Sequence, residues 1–189
     1  MKNLFSKKIW LLVLVLCFAP LSFAQNYEEG SNRLSLMLGY GKPNSTIMGK
    51  EWGGNSISIG GQLLHYFGDN FAFGAEIENL NYAKKNGINA EISNIAAAFR
   101  FSFNVNDLQR IYIPIGFGAS KMRETSNSSL DDTSLMGYVG LGLEADIDAI
   151  NDHFVFGLEG RYYCSHFDSH GIDEDIEYIS VLAMLGYRF

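Results

Sequence analysis

The sequence predicts an all-β fold: an eight-stranded antiparallel transmembrane up-and-down β-barrel, preceded by a cleaved signal peptide. Three observations predict it. Apolar residues recur at every second position through most of the chain. They fall into eight stretches of about 9–12 residues, the length a tilted strand needs to cross a bilayer. The connections between these stretches alternate between short and mostly longer. Composition removes the main rivals. With 14% aromatic residues and a net charge of -7, the 189-residue chain is no disordered segment. A mean hydropathy of +0.01 cannot accommodate several apolar helices. Two cysteines cannot make a disulfide scaffold.

Taken in order, the chain starts with an address. Lys2, Lys7 and Lys8 precede an apolar run from Ile9 to Ala19, and Ser22-Phe23-Ala24 offers small residues where a signal peptidase reads. Residues 1–24 are therefore expected to be removed, leaving a single barrel domain over 25–189. Leu16 precedes Cys17 where a lipoprotein signal needs a small residue, which argues against lipidation. The leader contains three lysines and no acid, so its loss takes the net charge from -7 to -10. An acidic exported chain lacks the basic footprint that nucleic acid requires. Cys164 is then the remaining thiol, with no partner for an internal disulfide.

The eight segments follow. Their oily faces are Leu34, Leu36, Leu38 and Tyr40; Ile57, Ile59 and Leu63; Phe71, Phe73, Ala75 and Ile77; then Ile95, Ala97, Phe99, Phe101 and Phe103. The second half gives Ile113, Ile115, Phe117 and Ala119; Val139, Leu141, Leu143 and Ala145; Phe154, Phe156 and Leu158; and Ile179 through Phe189 at alternate positions. Gly68-Asp69-Asn70, Asn104 to Gln109 and Asp148 to Asp152 read as turns. Gly41 to Asn55, Ala83 to Ala90, Arg123 to Thr133 and Ser165 to Asp175 read as loops. Short turns at one end and long loops at the other place both termini on the periplasmic side.

Volume decides which face is outside. An eight-stranded barrel is only just wide enough to be filled by side chains. The bulky Leu, Ile and Phe faces do not fit inside it, whereas the intervening Gly, Ala and Ser do. The interior is then expected to hold a charge network of Glu76, Arg100, Glu144, Glu159, Arg161 and Arg188, with Glu78 and Asp146, in which both signs can pair. Aromatic girdles are expected from Phe67, Phe71, Phe103, Tyr112, Phe154 and Tyr187 at the turn end. Tyr40, Tyr82, Tyr162 and Tyr178 are their expected counterparts at the loop end.

The C-terminus carries the most specific motif: Phe189 is last, with Tyr187, Leu185, Ala183 and Val181 at every second place before it. With the eight segments, residues 30–189 resemble the small eight-stranded OmpX/OmpA-type outer-membrane β-barrel family, often labelled porin-like. The resemblance implies a cell outer-membrane location in a Gram-negative bacterium. It also implies that Tyr187 and Phe189 form the signal read by the barrel-assembly machinery. Outer-membrane lipids and lipopolysaccharide are the implied surroundings, and the chain is expected to be a monomer.

Candidate sites are few. The inner charges are either a static plug of salt bridges or the lining of a gated narrow pore. His166, Asp168 and His170 have ligand chemistry, but a spacing of two matches no recognised structural metal pattern, so an acidic surface loop is expected and no metal or cofactor. Ser165, His166, Ser169 and His170 have the residue types of a lipid A-modifying hydrolase, without its His-Ser-Asn run. Trp52 in the longest loop can contact an extracellular ligand or the membrane surface. The expected function is non-enzymatic, structural or surface-interacting, with the long loops extracellular. A low-conductance pore and a lipid A-modifying enzyme are the alternatives.

Overall fold

The computed structural model describes residues 30–44, 46–47, 50–51, 55–82, 90–106, 108–124, 132–147, 153–169 and 172–189. The signal-peptide segment, Trp52 and His170 lie outside the described residues. In chain order the strands are β1 (Asn32–Pro43), β2 (Thr46–Ile47), β3 (Lys50–Glu51), β4 (Ser56–Tyr66), β5 (Phe71–Tyr82), β6 (Ala90–Asn104), β7 (Gln109–Glu124), β8 (Asp132–Asp146), β9 (Phe154–Ser169) and β10 (Ile172–Arg188). The short β2 and β3 pair with each other within the first long connection.

The other eight close into a barrel, each antiparallel to its neighbours, in the order β1-β10-β9-β8-β7-β6-β5-β4. Every barrel strand thus pairs with its sequence neighbour, and the ring is sealed where β1 meets β10, from Arg33↔Arg188 to Pro43↔Tyr178. Beyond that seam, Asn32 and Phe189 exchange two backbone hydrogen bonds of 2.9 Å. Closure leaves no open sheet edge, as a strand in hydrocarbon requires.

The two-residue period sorts the faces as the volume argument expects. Leu36, Ile57, Ile77, Ile95, Phe117 and Leu143 stand exposed on the outer wall, several of them over half exposed. Ser35, Ser58, Gln62, Glu76, Arg100, Glu144 and Arg161 are buried inside. Small residues let this narrow interior work. Tyr112 lies opposite Gly142 and Tyr138 lies near Gly116 in the β7–β8 register. A Cβ on either glycine would run into its tyrosine ring. Each glycine is the floor on which a lumenal ring rests.

The connection between β4 and β5 is tight. Gly68 sits at φ 142°, which an L side chain rarely adopts, and Phe67 N–H donates to Phe71 C=O at 3.0 Å. At the opposite end, strands run further than their alternation indicated. The expected loop from Ser165 to Asp175 is largely strand: β9 and β10 stay paired up to Ser169↔Ile172. Beyond the bilayer both faces meet water, so the oil-polar alternation that reveals a strand disappears while the ladder continues.

Three expected girdle residues are corrected. Tyr112, Tyr82 and Tyr178 are 0–2% exposed and point into the barrel. Tyr82 shares the phase of Glu76 and Glu78, and Tyr178 that of Ser180. The period of the strand, rather than depth in the membrane, decides which way each ring faces. Tyr40, Tyr162, Phe67 and Tyr187 do face outward, exposed by 39–54%.

Candidate functional site

The lumen is built in layers. At the turn end, five strands contribute a base-rich tier. Arg33 on β1 and Arg100 on β6 both place Nη1 at 2.6 Å from the same Glu144 oxygen on β8. Arg110 on β7 reaches Glu144 at 3.6 Å and Asp146 at 3.3 Å. Arg188 on β10 pairs with Asp146 at the rim. Here four guanidiniums meet two carboxylates.

The next tier inverts the ratio. Arg161 on β9 pairs with Glu76 on β5 and with Glu159. Its Nη2 donates to Glu76 at 2.8 Å. Glu78 accepts from the hydroxyls of Ser58 and Tyr163. This tier therefore holds one guanidinium and three carboxyls. Gln62 on β4 links the tiers: its Oε1 accepts from Arg100 at 3.1 Å and its Nε2 donates to Glu76 at 2.7 Å. Arg100 also lies 3.7 Å from Glu159. Taken together, the five arginines and five acids of the described lumen balance in charge. The pairing is what allows these groups to be buried at all.

Each deep arginine also covers a ring. The guanidinium carbon of Arg33 is 5.8 Å from the centroid of Tyr66, that of Arg100 is 3.8 Å from Tyr112, and that of Arg161 is 4.4 Å from Tyr138. Such contacts add cation–π attraction to the ion pairs. Above them lies an aromatic layer. Tyr163 and Tyr178 stack at 4.3 Å between centroids, Tyr138 packs on Tyr163 at 5.1 Å, and Tyr82 meets Tyr178 edge-on. Tyr178 accepts from Asn94 Nδ2 at 2.6 Å. Leu80, Ile92, Met122, Met136 and Ile176 close the loop end with apolar side chains.

All six charges singled out from sequence lie in this network, with Arg188 at its turn-end rim. Sequence reasoning missed Arg33, Arg110, Gln62 and the tyrosines. Arg33 and Arg110 sit just outside the alternating runs, but counting by two from Ser35 and from Pro114 brings each inside. The C-terminal residues lie elsewhere. Tyr187 faces outward, packs on Phe154 at 5.2 Å and stacks with Phe189 at 6.4 Å.

The last hairpin separates its Ser and His. Ser165 is 1% exposed and faces inward. His166 faces outward, its Nδ1 2.9 Å from Asp175 Oδ1. Neighbours on a strand point to opposite faces, so this Ser–His pair cannot act together. The side chain of Asp168 lies outside what is described. Among the described residues, no group of three His, Cys, Asp or Glu is arranged to hold a metal ion.

An oily wall around a charge-paired lumen, closed without an edge, defines a membrane-spanning barrel of the bacterial outer membrane. The chain belongs to the outer membrane protein beta-barrel domain family, whose profile matches residues 9–189. Among curated proteins, no sequence matches it. Solved structures share the fold. Neisserial surface protein A (NspA) superposes with a TM-score of 0.64 at 11% identity, over 84% of this chain and 96% of its own. OprG from Pseudomonas aeruginosa gives 0.58 at 13% identity, over 88% and 99%. Ail, the attachment invasion locus protein of Yersinia pestis, gives 0.53 at 17% identity, over 85% and 99%.

Proposed function

We propose that this protein is a non-enzymatic, monomeric outer-membrane barrel with a closed lumen, acting at the cell surface through its long connections. The observation that carries the reading is the filled interior. Two ionic tiers, a tyrosine layer and an apolar cap occupy the cross-section in turn, with Arg100, Arg161, Glu76, Glu144 and Glu159 each held in ion pairs rather than lining a free path. The same architecture carries a neisserial surface protein and an attachment invasion locus protein. In planar lipid bilayers the purified barrel is expected to give no channel events, and Arg100→Ala to stay silent too. Regular current steps from the parent, altered by Arg100→Ala, would replace this reading with a narrow pore.

In this proposal residues 1–24 are removed at export, and the barrel-assembly machinery reads Tyr187 and Phe189. The ends of β9 and β10 face the outside of the cell. Cys164 reports that orientation. It lies one outward position beyond Tyr162 and is exposed. Partial burial pushes its thiol pKa up, and Asp175 and Glu177 push it further. A membrane-impermeant maleimide should therefore label intact cells slowly at pH 7 and faster as pH rises and thiolate forms. Labelling only after the outer membrane is permeabilised would reverse the orientation.

A further inference from the structure

We propose that the loop-end half of the lumen binds one monovalent alkali cation, sodium or potassium, between Glu78, Asn94, Ser120 and Ser134. The site lies at the loop-end edge of the acidic tier, beyond the reach of its salt bridges.

One row of the sheet carries the four groups. Glu78 on β5 stands opposite Asn94 on β6, Asn94 opposite Ser120 on β7, and Ser120 opposite Ser134 on β8. All four share the inward phase and are 0–8% exposed. The wall of a narrow barrel curves, so side chains from adjacent strands converge as they leave it. The row offers oxygen throughout: one carboxylate, one amide and two hydroxyls. Three of these oxygens, Asn94 Oδ1, Ser120 Oγ and Ser134 Oγ, have no hydrogen-bond partner among the described residues. Asn94 is held by its other end, where Nδ2 donates to Tyr178, so its carbonyl oxygen is left for the lumen. A buried oxygen left bare is costly, and three side by side call for a common occupant.

Charge selects the occupant. Glu78 accepts from the hydroxyls of Ser58 and Tyr163, and among the described residues it has no ion pair with an arginine. The guanidinium of its tier, Arg161, is engaged with Glu76 and Glu159. The surplus arginines are one tier away at the turn end. Lys121 and Arg123, close to Ser120 in sequence, are exposed on the outer face. A cation at the row therefore meets negative potential, and an anion would be repelled. One carboxylate with neutral oxygens suits a singly charged ion. Calcium gathers more charged ligands, and zinc favours nitrogen and sulfur. Leu80, Ile92 and Met122, the next inward residues toward the loop end, cover the row. On the other side the base-rich tier repels a cation, so the ion is held rather than passed through. Bound there, it ties β5, β6, β7 and β8 together on their inner face.

Two measurements on the refolded barrel test the site. The first is urea unfolding in detergent, followed by intrinsic fluorescence at constant ionic strength. The chloride salts are those of sodium, potassium and N-methylglucamine, an organic cation too large to enter. The midpoint is expected to rise with sodium or potassium concentration until it saturates, and to stay lower in N-methylglucamine alone. Ser120→Ala with Ser134→Ala should abolish that rise without lowering the midpoint in N-methylglucamine, because it deletes two bare hydroxyls. Glu78→Gln should abolish the rise as well. Ser180→Ala removes a different bare hydroxyl, on β10, and should keep it. Heat-modifiable gel mobility shows which variants are folded, and the double serine variant carries the test if Glu78→Gln is not. The second measurement is diffraction from crystals soaked in thallium(I) nitrate. One anomalous peak is expected within coordination distance of Asn94 Oδ1 and Ser120 Oγ. Equal midpoints in the three salts overturn the proposal, as does a rise that survives in the double serine variant. A row without an anomalous peak overturns it too, and assigns these oxygens to water. A silent bilayer record is compatible with either result, so the closed lumen and the cation site can fail independently.

Discussion

Replacing Arg161 with methionine is expected to destabilise the barrel by about 3–5 kcal/mol, the cost of stripping a buried ion cluster of its central cation. Arg161 touches both Glu76 and Glu159, and its Nη1 also donates to Tyr163 at 2.9 Å. Without it, three carboxyls would remain in a space that water does not reach. The neutral substitutions Glu76→Gln and Glu159→Gln, added to Arg161→Met, should recover much of the loss, since only Glu78, held by the hydroxyls of Ser58 and Tyr163, is then left without a cation. Urea unfolding in phospholipid vesicles, followed by gel mobility, gives the midpoints. A single variant within about 1 kcal/mol of the parent, the range typical of an exposed pair, would show that the network contributes little.

Phe189→Ala should produce a different signature. In cells, folded barrel recovered from the outer membrane is expected to fall several-fold. In vitro, refolding of the same variant into vesicles should be nearly unchanged. Phe189 closes the seam through its backbone, which alanine retains, and its ring is 60% exposed. Its side chain therefore contributes little packing, and a defect confined to the cell points to recognition during assembly. An equal loss in both settings would make Phe189 a packing residue instead and remove it from the assembly signal.

Much of the fold was legible because a bilayer imposes one rule on eight strands at once. Where Ile95 or Leu143 must face hydrocarbon, residues one position away must face the lumen, and the phase follows with no knowledge of pairing. The same rule, applied strictly, would have turned Tyr112, Tyr82 and Tyr178 inward. Their placement by depth overlooked the β phase. Arg33 and Arg110 were missed because each lies at a strand end, where polar residues on both faces hide the alternation. The grouping of charges into a basic and an acidic tier was not legible at all. It depends on the stagger between strands, which brings Arg33, Arg100 and Glu144 to one point from positions 111 and 44 residues apart in the chain. The extension of β9 and β10 past the membrane was hidden for a similar reason, since water on both sides removes the hydrophobic signal.

The seam between β1 and β10 also sets a timetable. Its two halves are the first and last barrel strands to leave the ribosome, and pairs such as Leu34↔Tyr187 span nearly the whole barrel sequence. Closing so large a loop is entropically slow. Until β10 emerges, every partial sheet has two raw edges and an oily face with nothing to cover it, the condition in which chains aggregate. Ring closure therefore has to wait until β10 has been made. Until β1 and β10 meet, the chain has to be kept from its own kind, and the seam that completes the wall is also the step that removes the last aggregation-prone edges.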